Sequence, residues 1–284
     1  MSDTMATVVK KKTLGHRLLR APYIVWAVLF SVVPLCVMAY YALTDETGSF
    51  TLDNLLRVSN YSDIFMRSIW YSVVATLICL VLAYPIAYRI SQCGANKQRM
   101  MVMLIMLPMW MSLLLRTYAV MNILSDTGLI NSLLTGIGLS PLHMINTPGA
   151  VIFGMVYNYL PYMILPLYSV MIKIEKSTLE AAQDLGCNSW HIFCRILLPL
   201  STPGIVSGLT MVFVPSVSTF YISQKLGGGK FDLIGDTIER QFISVYDYNL
   251  GAAISLILMV LILICLAVMN EFTDDEDVNG GIVI

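Results

Sequence analysis

The sequence predicts an all-α membrane protein with six transmembrane helices. Hydrophobic residues make up 57% of the 284 residues and charged residues only 12%, and the mean hydropathy is +0.74. A soluble domain carries about 25% charged residues, so this chain has too little polar surface to face water. Six long apolar stretches are also present, each near the ~20 residues that a helix needs to cross a bilayer.

The first span is predicted over residues 22–44, after a polar N-terminal segment, residues 1–21. This span is too long for the apolar part of a cleaved signal peptide, and no small-x-small cleavage site follows it, so we expect it to remain. An acidic tail, residues 271–284, ends the chain. The other spans are predicted over residues 67–89, 100–124, 147–172, 199–222 and 248–270.

The distribution of positive charge predicts the orientation. Eleven Lys and Arg residues precede the first span or lie in the loops after spans two and four, and five lie in the opposite loops. Because Lys and Arg are enriched in cytoplasmic loops, we expect both termini in the cytoplasm and the protein in the cytoplasmic (inner) membrane. In the last outer segment, residues 224–247, Ile234, Ile238 and Phe242 recur every four residues, which predicts a short amphipathic helix at the outer surface.

The inner loop between spans four and five, residues 173–199, carries the most informative pattern. Leu179, Ala182 and Gly186 have the spacing of one helical face. Glu180 and Asp184 stand four residues apart on another face, which we expect to point to the cytoplasm. Gly186 can take the left-handed conformation that ends a helix.

A second short helix is predicted after that turn. Asn188 or Ser189 can cap its N-terminus, and Pro199 is expected to break the chain before span five. The loop is therefore predicted to be a helix–turn–helix that protrudes from the membrane. The apolar positions of its second helix are Trp190, Phe193 and Leu197.

This loop resembles the EAA motif of ABC importer permeases: Glu-Ala-Ala, three residues, Gly, nine residues, Ile, one residue and Leu-Pro. In that family the loop forms the coupling helix, which sits in a groove on a separate ATPase subunit. The resemblance implies the type I ABC importer permease fold, with an ABC type-1 transmembrane domain over residues 66–270. The implied ATPase-coupling residues are Glu180, Ala181, Ala182, Asp184, Gly186, Ile196 and Pro199.

The same resemblance implies the partners. It predicts a second homologous permease, two ATPase subunits that bind the ATP, and an extracytoplasmic binding protein, all acting with a subunit that is not itself an enzyme and holds no cofactor. Residues 107–119, 159–170, 220–229 and 234–242 look, more narrowly, like PotB-type permeases of spermidine/putrescine importers. An ABC permease for another small solute is the alternative, because sister permeases share parts of this pattern.

A flexible polycation is bound by aromatic faces and carboxylates, and these residue types define the candidate substrate path. Each of them is also consistent with packing or with a membrane-interface belt. The spans offer no deep carboxylate, so the partner permease could supply the negative charge. Arg116, the one charge well inside a span, either snorkels or pairs with Asp126, or it gates the path. The candidate path residues are Trp110, Tyr118, Tyr157, Tyr162, Tyr221, Asp236 and Glu239.

Other functional classes are disfavoured by the sequence. Residues 227–231, Gly-Gly-Gly-Lys-Phe, lack the Ser or Thr of a P-loop, and no HExxH or GxSxG motif is present. The six cysteines have no CxxC spacing, so neither a disulfide framework nor a metal site is predicted. A net charge of −1 suggests no nucleic-acid partner. A secondary transporter or channel would need intramembrane ionisable relays or inverted repeats, and the sequence offers neither.

Overall fold

The computed structural model describes residues 22–23, 25–45 and 47–279, with side chains described up to residue 269. The predicted N-terminal segment, residues 1–21, lies outside the described residues, as does the end of the acidic tail, residues 280–284. The described residues are almost entirely helical. Their helices are α1 (Val25–Ala42), α2 (Asp53–Val58), α3 (Ser62–Ser91), α4 (Ala95–Met106), α5 (Leu113–Leu124), α6 (Leu129–Gly136), α7 (Pro148–Met171), α8 (Lys176–Asp184), α9 (Ser189–Ile192), α10 (Leu198–Val217), α11 (Tyr221–Gly227), α12 (Ile234–Arg240) and α13 (Tyr248–Asn279).

Five helical stretches in the described part of the chain are long and apolar enough to cross a membrane, and a sixth passage consists of two helices joined at a bend. The five correspond to predicted spans one, two, four, five and six. The last helix, α13, continues to Asn279, through residues predicted as the start of the acidic tail. The five stretches are Val25–Ala42, Asp53–Ser91, Pro148–Met171, Ser189–Val217 and Tyr248–Met269.

The predicted third span, residues 100–124, is not one straight helix. The segments Ala95–Trp110 and Leu113–Gly136 meet at a bend of 92°. Pro108 lies in a 3₁₀ turn before the bend, and Met111 is extended, with φ −80° and ψ 146°. Ser112 then starts α5, because its hydroxyl accepts a hydrogen bond from the Leu114 amide at 3.3 Å. A proline that removes one amide and a serine that caps the next helix together explain the break.

The fifth span also differs from its predicted bounds, 199–222. Its helix ends at Val217, and a separate short helix, α11, starts at Tyr221. Thr219 and Phe220 form the break between them, with Phe220 at φ −129° and ψ −38°. The chain thereby leaves the span earlier than its uncharged stretch suggests and returns α11 against α7.

Helix α7 lies at the centre of the bundle, packed along α3 and α10. In its most apolar window 61% of the residues are buried, against 6% in the window of α1. Met155, Met163 and Leu167 are fully buried in this core. Gly208 of α10 lets the two helices approach closely, because a Cβ there would lie 2.6 Å from the Met163 sulfur.

A second apolar cluster connects the outer segment to the other spans. Ile234 of α12 and Val217 of α10 pack with Ala253 and Ile254 of α13 and with Ala42 at the end of α1. The Ile234 amide also donates to the Ser68 hydroxyl of α3 at 2.7 Å. The predicted amphipathic helix is thus present as α12, and both apolar packing and a hydrogen bond fix it on the bundle.

Candidate functional site

The first helix of the inner loop, α8, ends as its sequence predicts. Gly186 has φ +81°, the left-handed conformation that glycine adopts without strain. Its amide donates to the Gln183 carbonyl at 2.9 Å, and the Cys187 amide donates to the Ala182 carbonyl at 3.0 Å. This pair of bonds is a Schellman motif, which satisfies the last carbonyls of the helix. The turn of the hairpin therefore depends on the conformation of one glycine.

Asn188 caps the second helix, α9. Its Oδ1 accepts a hydrogen bond from the His191 amide at 2.8 Å. The prediction that Pro199 breaks the chain is wrong: a π-helical turn, Phe193–Leu197, joins α9 to α10, and the helix is continuous from Ser189 to Val217. The wider turn places the Leu198 amide on the Phe193 carbonyl, and Pro199, which has no amide to donate, lies in the first turn of α10.

The hairpin, residues 176–197, has one face on the bundle and one free face. Leu179 and Ala182 of α8 are buried with Ile192 and Leu197, and Ile196 is half-buried beside them. Of the predicted second stripe only Leu197 is buried, Phe193 is half-buried, and Trp190 is 69% exposed. The predicted coupling residues thus divide between the two faces. Glu180, Ala181, Asp184, Gly186 and Pro199 are exposed, whereas Ala182 and Ile196 pack inward.

Aromatic side chains connect the hairpin to two spans. Phe193 stacks on Trp190 with ring centroids 5.6 Å apart and meets the Tyr84 ring of α3 edge-on at 5.3 Å. The Tyr84 hydroxyl shares a hydrogen bond with the Ser201 hydroxyl of α10 at 2.9 Å. A cavity of about 620 Å³, lined by Tyr88 and Gln183 among others, lies between the hairpin and α3, although Tyr88 also packs against the buried hairpin residues. The hairpin is therefore continuous with α10 and only loosely packed on α3.

The structure brings some candidate path residues together and leaves others apart. The Tyr118 ring of α5 and the Tyr221 ring of α11 meet edge-on, with centroids 6.1 Å apart. Tyr162 lies 6.4 Å from the Tyr159 ring on α7. Trp110, which is 74% exposed beside the break in the third span, and Tyr157, which is 41% exposed, belong to neither pair.

The two candidate carboxylates line one cavity of about 340 Å³ in the outer segment. Asp236 is only 5% exposed, its Oδ2 accepts from the Leu233 amide at 2.7 Å, and its Oδ1 has no hydrogen-bond partner. Burial raises the pKa of Asp236 to about 7, against the opposing hydrogen bonds from Ser223 and the Leu233 amide. Glu239 accepts a hydrogen bond from the Gln224 amide nitrogen. The cavity thus holds two carboxylates that form no ion pair among the described residues.

Arg116 is buried in α5, at 5% exposure. Its Nη1 donates to the Asn158 carbonyl of α7 at 3.4 Å, and its Nε has no partner among the described residues. The alternative in which Arg116 pairs with Asp126 is wrong, because Asp126 pairs with the His143 ring at 2.9 Å. Snorkelling is also wrong for a side chain this buried. Arg116 is instead a bridge between α5 and the central helix.

Sequence reasoning missed three polar residues of this outer region. Lys225 lies over both rings of the Tyr118–Tyr221 pair, Gln224 bonds Glu239, and Asp232 pairs with Arg240 at 2.6 Å. All three belong to the segment that was predicted as an outer loop. Its mixture of Lys, Gln and acidic residues was visible, but the Tyr118 ring beside Lys225 is distant in sequence, and the Gln224–Glu239 and Asp232–Arg240 pairs depend on how the segment folds.

Residues 97–272 match the family described as binding-protein-dependent transport system inner membrane component. The spermidine/putrescine transport system permease protein PotB of Escherichia coli (strain K12) is 38% identical over 245 residues, which cover 83% of this chain and 89% of that protein. PotB of Haemophilus influenzae is 37% identical over 246 residues, covering 83% of this chain and 86% of that protein.

The fold is also that of a solved transporter. One chain in the crystal structure of a bacterial ABC transporter involved in the import of the acidic polysaccharide alginate superimposes with a TM-score of 0.75. The sequence identity is 19%, and the match covers 95% of this chain and 98% of that one. The predicted all-α membrane fold of ABC importer permeases is thereby confirmed.

Proposed function

The chain belongs to the family of binding-protein-dependent transport system inner membrane components, and on that premise we propose that the solute it conducts is a polyamine, spermidine or putrescine. As a member of this family it is a multi-pass, non-catalytic membrane subunit of an ABC importer and binds no cofactor; ATP is handled by ATPase partners. The observation that carries the proposal is the 38% identity to permeases named for spermidine/putrescine transport, which extends over 83% of the chain.

In the proposed mechanism the free face of the hairpin, residues 176–197, docks on an ATPase subunit. Glu180 and Asp184 supply exposed negative charge, and Ala181 keeps the helix slim enough for close approach. Leu185, which is 85% exposed, and Trp190 supply apolar area that only a partner surface would cover. Charges at such a rim orient the complex, and the apolar residues between them supply most of its affinity.

The proposed path enters from the outer face. Glu239, which forms no ion pair among the described residues, attracts an ammonium group beside the buried Asp236, and the Tyr118–Tyr221 pair offers ring faces to it. Trp110, Tyr157 and Tyr162 offer further contacts to the methylene chain of the solute. A second homologous permease closes the path across a pseudo-two-fold axis, and an extracytoplasmic binding protein delivers the polyamine. Two ATPase subunits drive alternating access, and both termini of this chain lie in the cytoplasm.

The experiment is an uptake assay in a strain that lacks this chain and every other polyamine importer. Expression of the chain with its ATPase, second permease and binding protein is expected to restore uptake of labelled spermidine or putrescine. Omission of this chain alone is the control. Failure to restore uptake of either polyamine, with the chain present in the membrane, refutes the proposed substrate.

A permease for another small solute is the second candidate. The observation that favours it is Arg116, whose buried positive charge repels a polyamine and whose Nε is unpaired. The same strain, supplied with labelled organic acids and amino acids, tests it. Uptake of an anionic solute that Arg116→Gln abolishes would replace the polyamine proposal.

A further inference from the structure

The ammonium of Lys225 lies against two aromatic rings from different elements. Its Nζ is 5.6 Å from the centroid of the Tyr118 ring on α5 and 5.6 Å from the centroid of the Tyr221 ring on α11. Both distances are within the ~6 Å range of a cation–π interaction. All three side chains are partly exposed.

None of the described carboxylates forms an ion pair with this ammonium. The ion pairs found among the described residues are Arg57–Asp247, His143–Asp126 and Arg240–Asp232, and Lys225 takes part in none of them. Of the acidic residues in the same segment, Asp232 pairs with Arg240, and Glu239 is bonded to Gln224, the residue before Lys225. The aromatic pair is therefore the partner of the Lys225 charge.

The contact between the Lys225 ammonium and the two rings has the same chemistry as a contact between these rings and the proposed solute. A lysine side chain is a primary ammonium on a four-carbon stem, and putrescine is a four-carbon stem with a primary ammonium at each end. Spermidine contains the same unit. Any aromatic pair that accepts the Lys225 ammonium accepts one end of these polyamines by the same interaction.

We propose that the Lys225 ammonium takes the place of the solute's ammonium. It occupies the Tyr118–Tyr221 pair until an incoming polyamine displaces it. This inference rests on polyamine transport as the proposed function. Displacement changes the contact between α5 and α11, both of which pack against α7. Substrate arrival is thereby coupled to a rearrangement at the outer mouth.

The arrangement also selects for polycations. Because Lys225 is part of the chain and always lies beside the ring pair, a monoamine gains little binding free energy by replacing it. Gln224, one residue away, lines the cavity that contains Asp236 and Glu239. A diamine can place one ammonium on the ring pair and the other near these carboxylates, so the second charge favours displacement.

The first test measures the accessibility of the Lys225 amine in the complete transporter. The complex is treated with an amine-acylating reagent, and the labelling of Lys225 is quantified by peptide mass spectrometry, with the exposed Lys230 as internal reference. Tyr118→Leu is expected to raise Lys225 labelling about threefold, the equivalent of one lost cation–π contact. Spermidine is expected to raise the labelling of Lys225 in the wild type, whereas butylamine at the same concentration is expected to leave this labelling unchanged. Protection of Lys225 by spermidine, or no change, overturns the inference.

The second test separates displacement from simple charge repulsion. Lys225→Gln is expected to lower the KM for spermidine uptake about threefold, and Lys225→Arg is expected to retain the wild-type value. Repulsion alone predicts the same gain from Lys225→Gln in a Tyr118→Leu background, whereas displacement predicts that the gain disappears there. Wild-type uptake is measured in parallel. Spermidine uptake with unchanged Lys225 labelling overturns this inference alone, whereas absence of polyamine uptake overturns the proposed function and this inference with it.

Discussion

Substitution of Gly186 tests whether the hairpin transmits force from an ATPase. Gly186 has φ +81°, and nothing lies within 4 Å of the position that a Cβ would occupy. The cost of Gly186→Ala is therefore backbone strain alone, about 1–2 kcal/mol for a residue with a Cβ in the left-handed region. That cost lowers the population of the native turn about 5- to 30-fold relative to competing conformations.

The assay measures coupling rather than stability. The complete transporter is reconstituted in proteoliposomes, and the amount of polyamine transported per ATP hydrolysed is determined. Gly186→Ala is expected to lower this ratio several-fold, and Gly186→Asn is expected to retain most of it, because asparagine tolerates the left-handed conformation.

The matched control is Gly138→Ala. Gly138 has φ +82° and equally open surroundings, but it follows α6 in a predicted outer segment, far from the hairpin in sequence. The strain is the same and only the location differs. If Gly186→Ala leaves the transport-to-hydrolysis ratio unchanged, or if Gly138→Ala lowers it as much, the hairpin is not the coupling element.

Two further predictions concern the outer segment. Gly235→Ala is expected to lower the free energy of unfolding by about 1–3 kcal/mol, because a Cβ there would lie 2.5 Å from the backbone carbonyl oxygen of Thr219. Thermal unfolding of the purified complex measures this change. The control is Gly136→Ala, whose added Cβ would meet no atom within 4 Å. Burial raises the pKa of Asp236 from 3.8 to about 7. Between these two pH values the folded protein binds a proton that the unfolded chain has already released. The free energy of unfolding should therefore fall as pH rises from about 4 to 7, and an equally steep fall in Asp236→Asn would contradict this origin.

The hairpin was predictable because its determinants are local. A glycine that ends one helix and an asparagine that caps the next act within about five residues, and Gly186 and Asn188 both do what their positions indicate. Most of the spans were predictable because a long apolar stretch identifies them, but the break in the third span and the early end of the fifth were not predicted. The inward position of Leu179 and Ala182 likewise follows from helical periodicity.

The features that the sequence did not predict have no signal in helical periodicity or in the spacing of charges. Pro199 was expected to break the chain, yet the preceding π-helical turn accommodates it, and periodicity contains no signal for such a turn. Asp236 was predicted as a carboxylate of the substrate path, but it is buried, and its carboxylate accepts a hydrogen bond from the Leu233 amide at the start of α12. Lys225 became informative only when folding placed Tyr118 and Tyr221 around it.

The connections of the hairpin decide which span an ATPase would move. Its second helix is continuous with α10 through Val217, so a displacement of the hairpin acts on α10 directly. Its contacts with α3 include the edge-on ring pair Tyr84–Phe193 and the packing of Tyr88 on the buried hairpin residues, beside a cavity of about 620 Å³. Helix α10 in turn packs on the central helix α7 through Gly208 and ends at the break that leads to α11. Since α11 carries Tyr221 and Lys225, one continuous helix and one short turn link the inner hairpin to the outer aromatic pair. Under the proposed mechanism, a push on the hairpin acts on one end of α10, and displacement of the Lys225 ammonium on α11 acts through the short turn on its other end.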